Sequence, residues 1–224
     1  MGRPTVRDAV VAGHALRPRL RGWLHRIAFV CAFPAALGLI LVARGAMAKT
    51  AAVIYGLGVI ALYGVSSTYH RVDWSTAAHR WMKRLDHGTI FIMIAASYTP
   101  ICLFLLRGPT GTGLLIGVWV AAAAGLTLAL LGIAERPYVG FSCYLAMEWL
   151  AVLGAPELIR RGTPGELALL VTGGVVYTVG AVVLGRRWPD PFPRVFGYHE
   201  VWHTMVIAGT ACHYVVILSV LRAT

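Results

Sequence analysis

Two histidines, His199 and His203, stand four residues apart in the run Gly197-Tyr-His-Glu-Val-Trp-His203. On a helix that spacing stacks both imidazoles on one face, about 5–6 Å apart at Cβ, so that a single metal ion can be gripped from adjacent turns. The run follows a Pro-rich, basic loop and passes without a break into an apolar stretch that reaches Leu221. Its polar residues therefore enter a membrane on a helix, and ligating groups inside a span are rare enough to mark a functional site by default.

The chain is built to place such a pair in a bilayer. Apolar residues make up 58% and charged residues only 13% of the 224, and the mean hydropathy is +0.71. A soluble domain carries nearly twice that share of charge, so the class is an all-α integral membrane protein. Cys31, Cys102, Cys143 and Cys212 fall in or beside apolar segments without a C-x-x-C pair. They read as small buried residues and not as a disulfide framework. The net charge of +11 is spread through short loops, which fits positive-inside topology better than nucleic-acid binding. No cleavable signal peptide is evident in the basic first 26 residues, and the first span is expected to direct its own insertion.

Two parts are expected: an interfacial amphipathic segment over residues 1–26 and a transmembrane domain over 27–224. In the first, Leu16, Leu20, Trp23, Leu24 and Ile27 recur at helical spacing among arginines, a pattern suited to a helix lying along anionic headgroups. In the second, seven apolar segments run at about 27–43, 51–70, 86–106, 113–133, 141–159, 166–185 and 199–221, each near the ~20 residues that cross a hydrocarbon core. With seven spans, the side holding the amino terminus carries 14 of the 20 Lys and Arg. That excess puts the amino terminus in the cytoplasm, in what is expected to be a bacterial plasma membrane.

This topology brings distant residues to one depth. Span 2 ends at Ser66-Ser-Thr-Tyr-His70 on the cytoplasmic side, span 3 sets out from that side at Asp86, and span 7 at His199. His70 with His199 and His203 makes three nitrogen ligands, the set with which a catalytic zinc leaves its fourth position to water. Residue type alone leaves iron and copper open. Asp86 could accept a hydrogen bond from that water or from a ligand imidazole, and so orient the site or take a proton. Ser66, one turn deeper than His70 on the same face, could donate to the water or to a developing oxyanion. The chemistry implied is hydrolysis of a lipid amide or ester.

Plainer uses of the same residues stand beside these. His199 and His203 could be interfacial histidines bonded to backbone, Asp86 a helix cap, and Ser66 a small residue at a close helix contact. His213, ten residues beyond His203 and about 15 Å deeper, is too far to share the ion and reads as packed or hydrogen-bonded. His14, His25, His79 and His87 read as solvated or interfacial. Gly113-x-x-x-Gly117 reads as ordinary close packing.

Ser66-x-x-x-His70, the segment Lys83-Arg-Leu-Asp86-His-Gly-Thr-Ile-Phe, Ser97-Tyr-Thr-Pro100 and Gly197-Tyr-His-Glu-Val-Trp-His203 with Cys212-His-Tyr214 closely resemble the hemolysin III branch of the progestin and adiponectin receptor family. The resemblance runs from Arg21-Gly-Trp-Leu-His25 to the last span. It implies a seven-helix bundle with zinc on His70, His199 and His203 near the cytoplasmic face, and with Asp86 and Ser66 around it. The adiponectin-receptor branch is associated with ceramidase activity, which points to a zinc-dependent amidohydrolase. The bacterial branch is named for cytolysis, which points to a pore-former, although the spans lack the continuous stripe of charge that a wide aqueous pore needs. A membrane-lipid sensor or receptor with structural zinc is the third reading. Membrane lipids are the expected partners, a homo-oligomer is left open, and no protein partner can be deduced. Glu148, in span 5, departs from the small residue expected of the family; it would serve as a proton relay or substrate contact if it faced the bundle, and a paired structural carboxylate is the plainer reading.

Overall fold

The structure, a computed structural model, describes residues 18–136 and 138–224. Seven helices among them are long and apolar enough to cross a membrane: α1 Trp23–Val42, α2 Gly45–Arg71, α3 Thr76–Leu106, α4 Gly108–Leu130, α5 Val139–Arg161, α6 Pro164–Arg186 and α7 Tyr198–Arg222. The described residues contain no strand, and a single isolated bridge joins Phe192 and Phe196 in the α6–α7 loop. The expected all-α, seven-helix membrane architecture is therefore the one observed. All four cysteines are free.

Helices adjacent in sequence pack against each other from α1 to α4, α6 packs on α7, and α1 meets α7 to close the bundle. Small residues set the spacing, since a Cβ on Gly58 of α2 would lie 2.7 Å from the Cβ of Ala96 on α3. Gly113 and Gly117 behave otherwise. An added Cβ at either meets nothing within 4 Å, so they are not the close intrachain packing that their spacing suggests. α3 is the most buried span and α5 the least.

Two spans are irregular, for identifiable reasons. Pro100 has no N–H to continue the ladder of α3, which passes into a π-helical turn over Ile101–Leu106. In α5 the α-helix Val139–Glu148 gives way to a 3-10 stretch, Trp149–Gly154, before resuming at Ala155. Pro156, whose ring conflicts with a carbonyl one turn back, lies just beyond the break. The Tyr98 hydroxyl of α3 repairs that break by donating to the Glu148 carbonyl at 2.7 Å and accepting the Ala151 N–H at 2.7 Å. Such repair by a neighbouring helix is what makes a broken span tolerable in lipid.

Of the expected interfacial segment, residues 1–17 lie outside the described residues, and α1 is already under way at Trp23. Between them, the N–H groups of Arg19 and Leu20 donate to the carbonyls of Arg194 and Val195 at 3.0 and 3.1 Å. The strap that precedes α1 is thereby fastened to the loop that precedes α7. α3 starts well before Asp86, capped by the Ser75 side chain, which accepts the Ala78 N–H. Asp86 is thus roughly 15 Å into the helix and is not its cap.

Candidate metal centre

The carboxyl end of α2 and the amino end of α7 meet at the end of the bundle where α1 begins. His70 Nε2 lies 3.2 Å from His199 Nε2. Each of His70, His199 and His203 offers one ring nitrogen, and these nitrogens all fall within 4.8 Å of one another. A tetrahedral ion bound at 2.0–2.1 Å has ligand atoms about 3.3–3.4 Å apart, so the His70–His199 pair already has that spacing and His203 needs only a side-chain adjustment. His203 Nδ1 is buried without a hydrogen-bond partner among the described residues. A cluster of this kind fits a metal ion, and the chemistry of three imidazoles favours zinc over the hard cations.

Around the three histidines the structure adds what spacing alone did not. Asp86 Oδ2 approaches His70 Nε2 to 3.9 Å, so α3 delivers its carboxylate to the same point. Ser66 is 2% exposed, and its hydroxyl lies 2.9 Å from His25 Nδ1 and also interacts with the Asp86 carboxyl. His25 itself is not solvated or interfacial. It is 3% exposed and stacks on His203 with ring centroids 3.8 Å apart and planes 6° from parallel. His87 is half-buried and has an unpartnered Nδ1. His79 is near Tyr69 at the exposed end of α3, and His213 packs far from the cluster with Nε2 3.4 Å from the Leu170 carbonyl. His14 lies outside the described residues.

The amino end of α7, which carries two of the three histidines, is pinned from both sides. Glu200, between them in sequence, is fully buried. One of its carboxylate oxygens accepts the Gly197 N–H at 2.8 Å and the other meets Arg21 Nε at 2.5 Å. Asp190 Oδ1 accepts the Tyr198 N–H at 2.9 Å, so two carboxylates sit at the positive end of the helix, where they are favoured. Gly22 lets the strap close down on α2. Its φ is +78°, and an added Cβ would come 2.8 Å from the Cβ of His70, so both the backbone and the space call for glycine.

The cluster opens into a cavity of about 500 Å³ whose lining includes His25, Ser66, Asp86 and His203 at one end and Glu148 and His213 at the other. The wall between them is largely apolar, with Ile90, Met93, Ile94 and Val206 contributing. That shape and lining suit a lipid chain presented with its polar head at the histidines.

Comparison with known proteins agrees with this architecture. The family described as Haemolysin-III related matches residues 14–214. The chain belongs to that family. It is 31% identical over 198 residues to Hemolysin-3 of Bacillus cereus, with 87% of each chain covered. It is 28% identical over 198 residues to the Hemolysin-3 homolog of Bacillus subtilis (strain 168), covering 87% of this chain and 89% of that one. Monocyte to macrophage differentiation factor of Homo sapiens is 30% identical over 170 residues, which are 74% of this chain and 68% of the human one. The chain is thus a haemolysin-III-like, multi-pass membrane protein of the progestin and adiponectin receptor family.

Sequence reasoning missed His25, Glu200 and Gly22. For His25 the arginines around it suggested an interface, and nothing local reveals a stacking partner on α7. Glu200 did leave a signal: a lone acid between two candidate ligands, followed by an apolar run, needs a partner once it is buried.

Proposed function

We propose that this protein is a metal-dependent hydrolase of a membrane lipid amide or ester, with zinc held by His70, His199 and His203. The observation that carries the reading is the gathering of three ring nitrogens within 4.8 Å of one another, beside a carboxylate and a hydroxyl at the mouth of an apolar cavity. A purely structural site is normally closed by a fourth protein ligand. Bound there, zinc would act as a Lewis acid and lower the pKa of a water at its open position to about 7.

The chain's own residues do the rest. Asp86 is the proton acceptor, its Oδ2 3.9 Å from the ring nitrogen that His70 would offer the metal, where it can take a proton from a water held there. An ionised carboxylate only accepts, so the Ser66 hydroxyl donates toward Asp86 in the resting site and accepts from His25 Nδ1–H. Once Asp86 has taken a proton, the Ser66 hydroxyl is released to donate to the carbonyl oxygen on which charge develops. His25 holds that hydroxyl in place and shields one face of His203. The Arg21–Glu200 pair holds α7 at the height that keeps its two histidines opposite His70. The cavity takes the acyl chain and excludes water from it. With the amino terminus in the cytoplasm, as the basic residues favour, the reaction takes place at the inner face of the membrane.

Metal analysis of the purified protein and of the three His→Ala variants, run with an assay for fatty acid release from lipid amides and esters, tests this. Zinc near one equivalent in the wild type, its loss in the variants and a parallel loss of product are expected. Turnover that persists in His203→Ala would sink the reading. The name of the two Bacillus relatives favours a second reading, a membrane-disrupting cytolysin, for which dye leakage from liposomes without lipid cleavage is the signature.

A further inference from the structure

The cavity has a second polar end that the hydrolytic centre does not use. Glu148 lines it with Oε1 buried and without a hydrogen-bond partner among the described residues. This oxygen is not loosely placed. Glu148 is the last residue of the α-helical part of α5, its carbonyl accepts from the Tyr98 hydroxyl, and the next residue is tied by Trp149 Nε1 donating to Thr178 Oγ1 at 3.1 Å. Opposite it α6 presents Gly174, where even an added Cβ would stay 3.9 Å from Oε1, so room is left beside the carboxyl. His213 of α7 lines the same cavity. Its Nε2 faces the Leu170 carbonyl, which can only accept, so Nε2 carries the proton and Nδ1 is left as an acceptor. The far end of the cavity therefore offers acceptors and calls for a donor.

A bare carboxyl oxygen deep in a bundle is costly unless something donates to it. An ammonium would have to be carried into the hydrocarbon as a charge. A hydroxyl pays far less on entry and can bond the carboxyl whether the latter is protonated or ionised. On α7, His203 and His213 are ten residues apart, about 15 Å along the axis, and this sets the distance between the two ends. We infer that Glu148, with His213 beside it, forms a second recognition site for a hydroxyl carried along the lipid chain, so that the preferred ligand is a hydroxylated long-chain amide or ester. The inference rests on the lipid-hydrolase reading only for which end of the ligand meets the histidines. An alkyl chain with C–C bonds of about 1.5 Å at tetrahedral angles extends roughly 14 Å over eleven bonds, which places the hydroxyl near the twelfth carbon.

Native mass spectrometry of the full chain tests this with octadecanamide, 12-hydroxyoctadecanamide and 6-hydroxyoctadecanamide in competition. The masses read retained ligand and cleaved product separately. The wild type should retain the 12-hydroxy amide about ten-fold over the unsubstituted one, the gain of one hydrogen bond. The 6-hydroxy isomer should show no gain, because its hydroxyl meets the apolar wall. Glu148→Leu should abolish the preference, and Glu148→Gln, which keeps an acceptor oxygen, should restore most of it. Equal retention of the three amides by the wild type overturns the inference, as does a 12-hydroxy preference that survives Glu148→Leu. The comparison among isomers needs no variant to fold. Cleavage without preference would overturn this site alone, and preference without cleavage would overturn the hydrolase reading alone.

Discussion

The two ends of the cavity solve the same problem differently. At the histidine end, α1, α2, α3 and α7 each contribute a side chain to a cluster in which His25, Ser66 and Asp86 answer one another and the ring nitrogens face a common centre. At the other end Glu148 stands on one broken helix, and its backbone is repaired by Tyr98 while its Oε1 has no hydrogen-bond partner among the described residues. The first end lies close to loops that supply Arg21 and Asp190 as anchors for the start of α7. The second lies among helices whose backbone groups are already committed. A polar group near the water can thus be tied down by the chain, whereas one deep in the bundle waits for a ligand.

The largest effect is expected from removing one of the three clustered histidines. His203→Ala is expected to lower zinc affinity by more than about 100-fold, since even outer-shell changes cost 10–100-fold. Competition against a chelator measures it, and an unchanged affinity would exclude His203 from the cluster. Next is the anchor: Glu200→Ala leaves Arg21 without its partner and the Gly197 N–H without its acceptor. It should cost about 3 kcal/mol, seen as a lower thermal midpoint in detergent together with weaker zinc binding. Tyr98→Phe acts on the other end alone. The Glu148 carbonyl and the Ala151 N–H lose their partner at about 1–2 kcal/mol, while zinc content stays at the wild-type value. A loss of zinc in this variant would mean that the two ends are one unit.

The smallest effect is expected where Glu135 Oε2, in the α4–α5 loop, meets Lys83 Nζ of α3 at 2.6 Å. Burial pushes the Glu135 carboxyl up. The hydrogen bond and charge of Lys83, with the charges of His87 and Arg84, outweigh this and hold it below the usual carboxylate range. Its stabilisation is therefore complete above the usual carboxylate pKa and is lost as pH falls through the lowered value. Glu135→Gln should be less stable than the wild type by up to about 1 kcal/mol at neutral pH, and the two melting curves should converge in acid.

Much of this is legible in the residues alone. Long apolar runs with breakers between them gave seven spans, because the bilayer sets both their length and their composition. The His199/His203 spacing and the parity of seven crossings were enough to bring His70 and Asp86 to the same depth. Helix starts are less legible. Asp86 looked like a beginning because apolarity begins there, whereas Ser75 is the residue whose side chain caps α3. His25 was misjudged because arginines flank it in sequence, while His203 and Ser66 flank it in space.

The amino-acid sequence by itself determined that the chain crosses a membrane seven times and that three histidines and an aspartate share one level, since hydrophobic length and helical periodicity are local properties. Packing in three dimensions is what places His25 with them, pairs Arg21 with Glu200 and turns Glu148 toward a cavity and not lipid. Those facts depend on how each helix is rotated about its axis, and that rotation is set by which side chains fit between neighbouring helices.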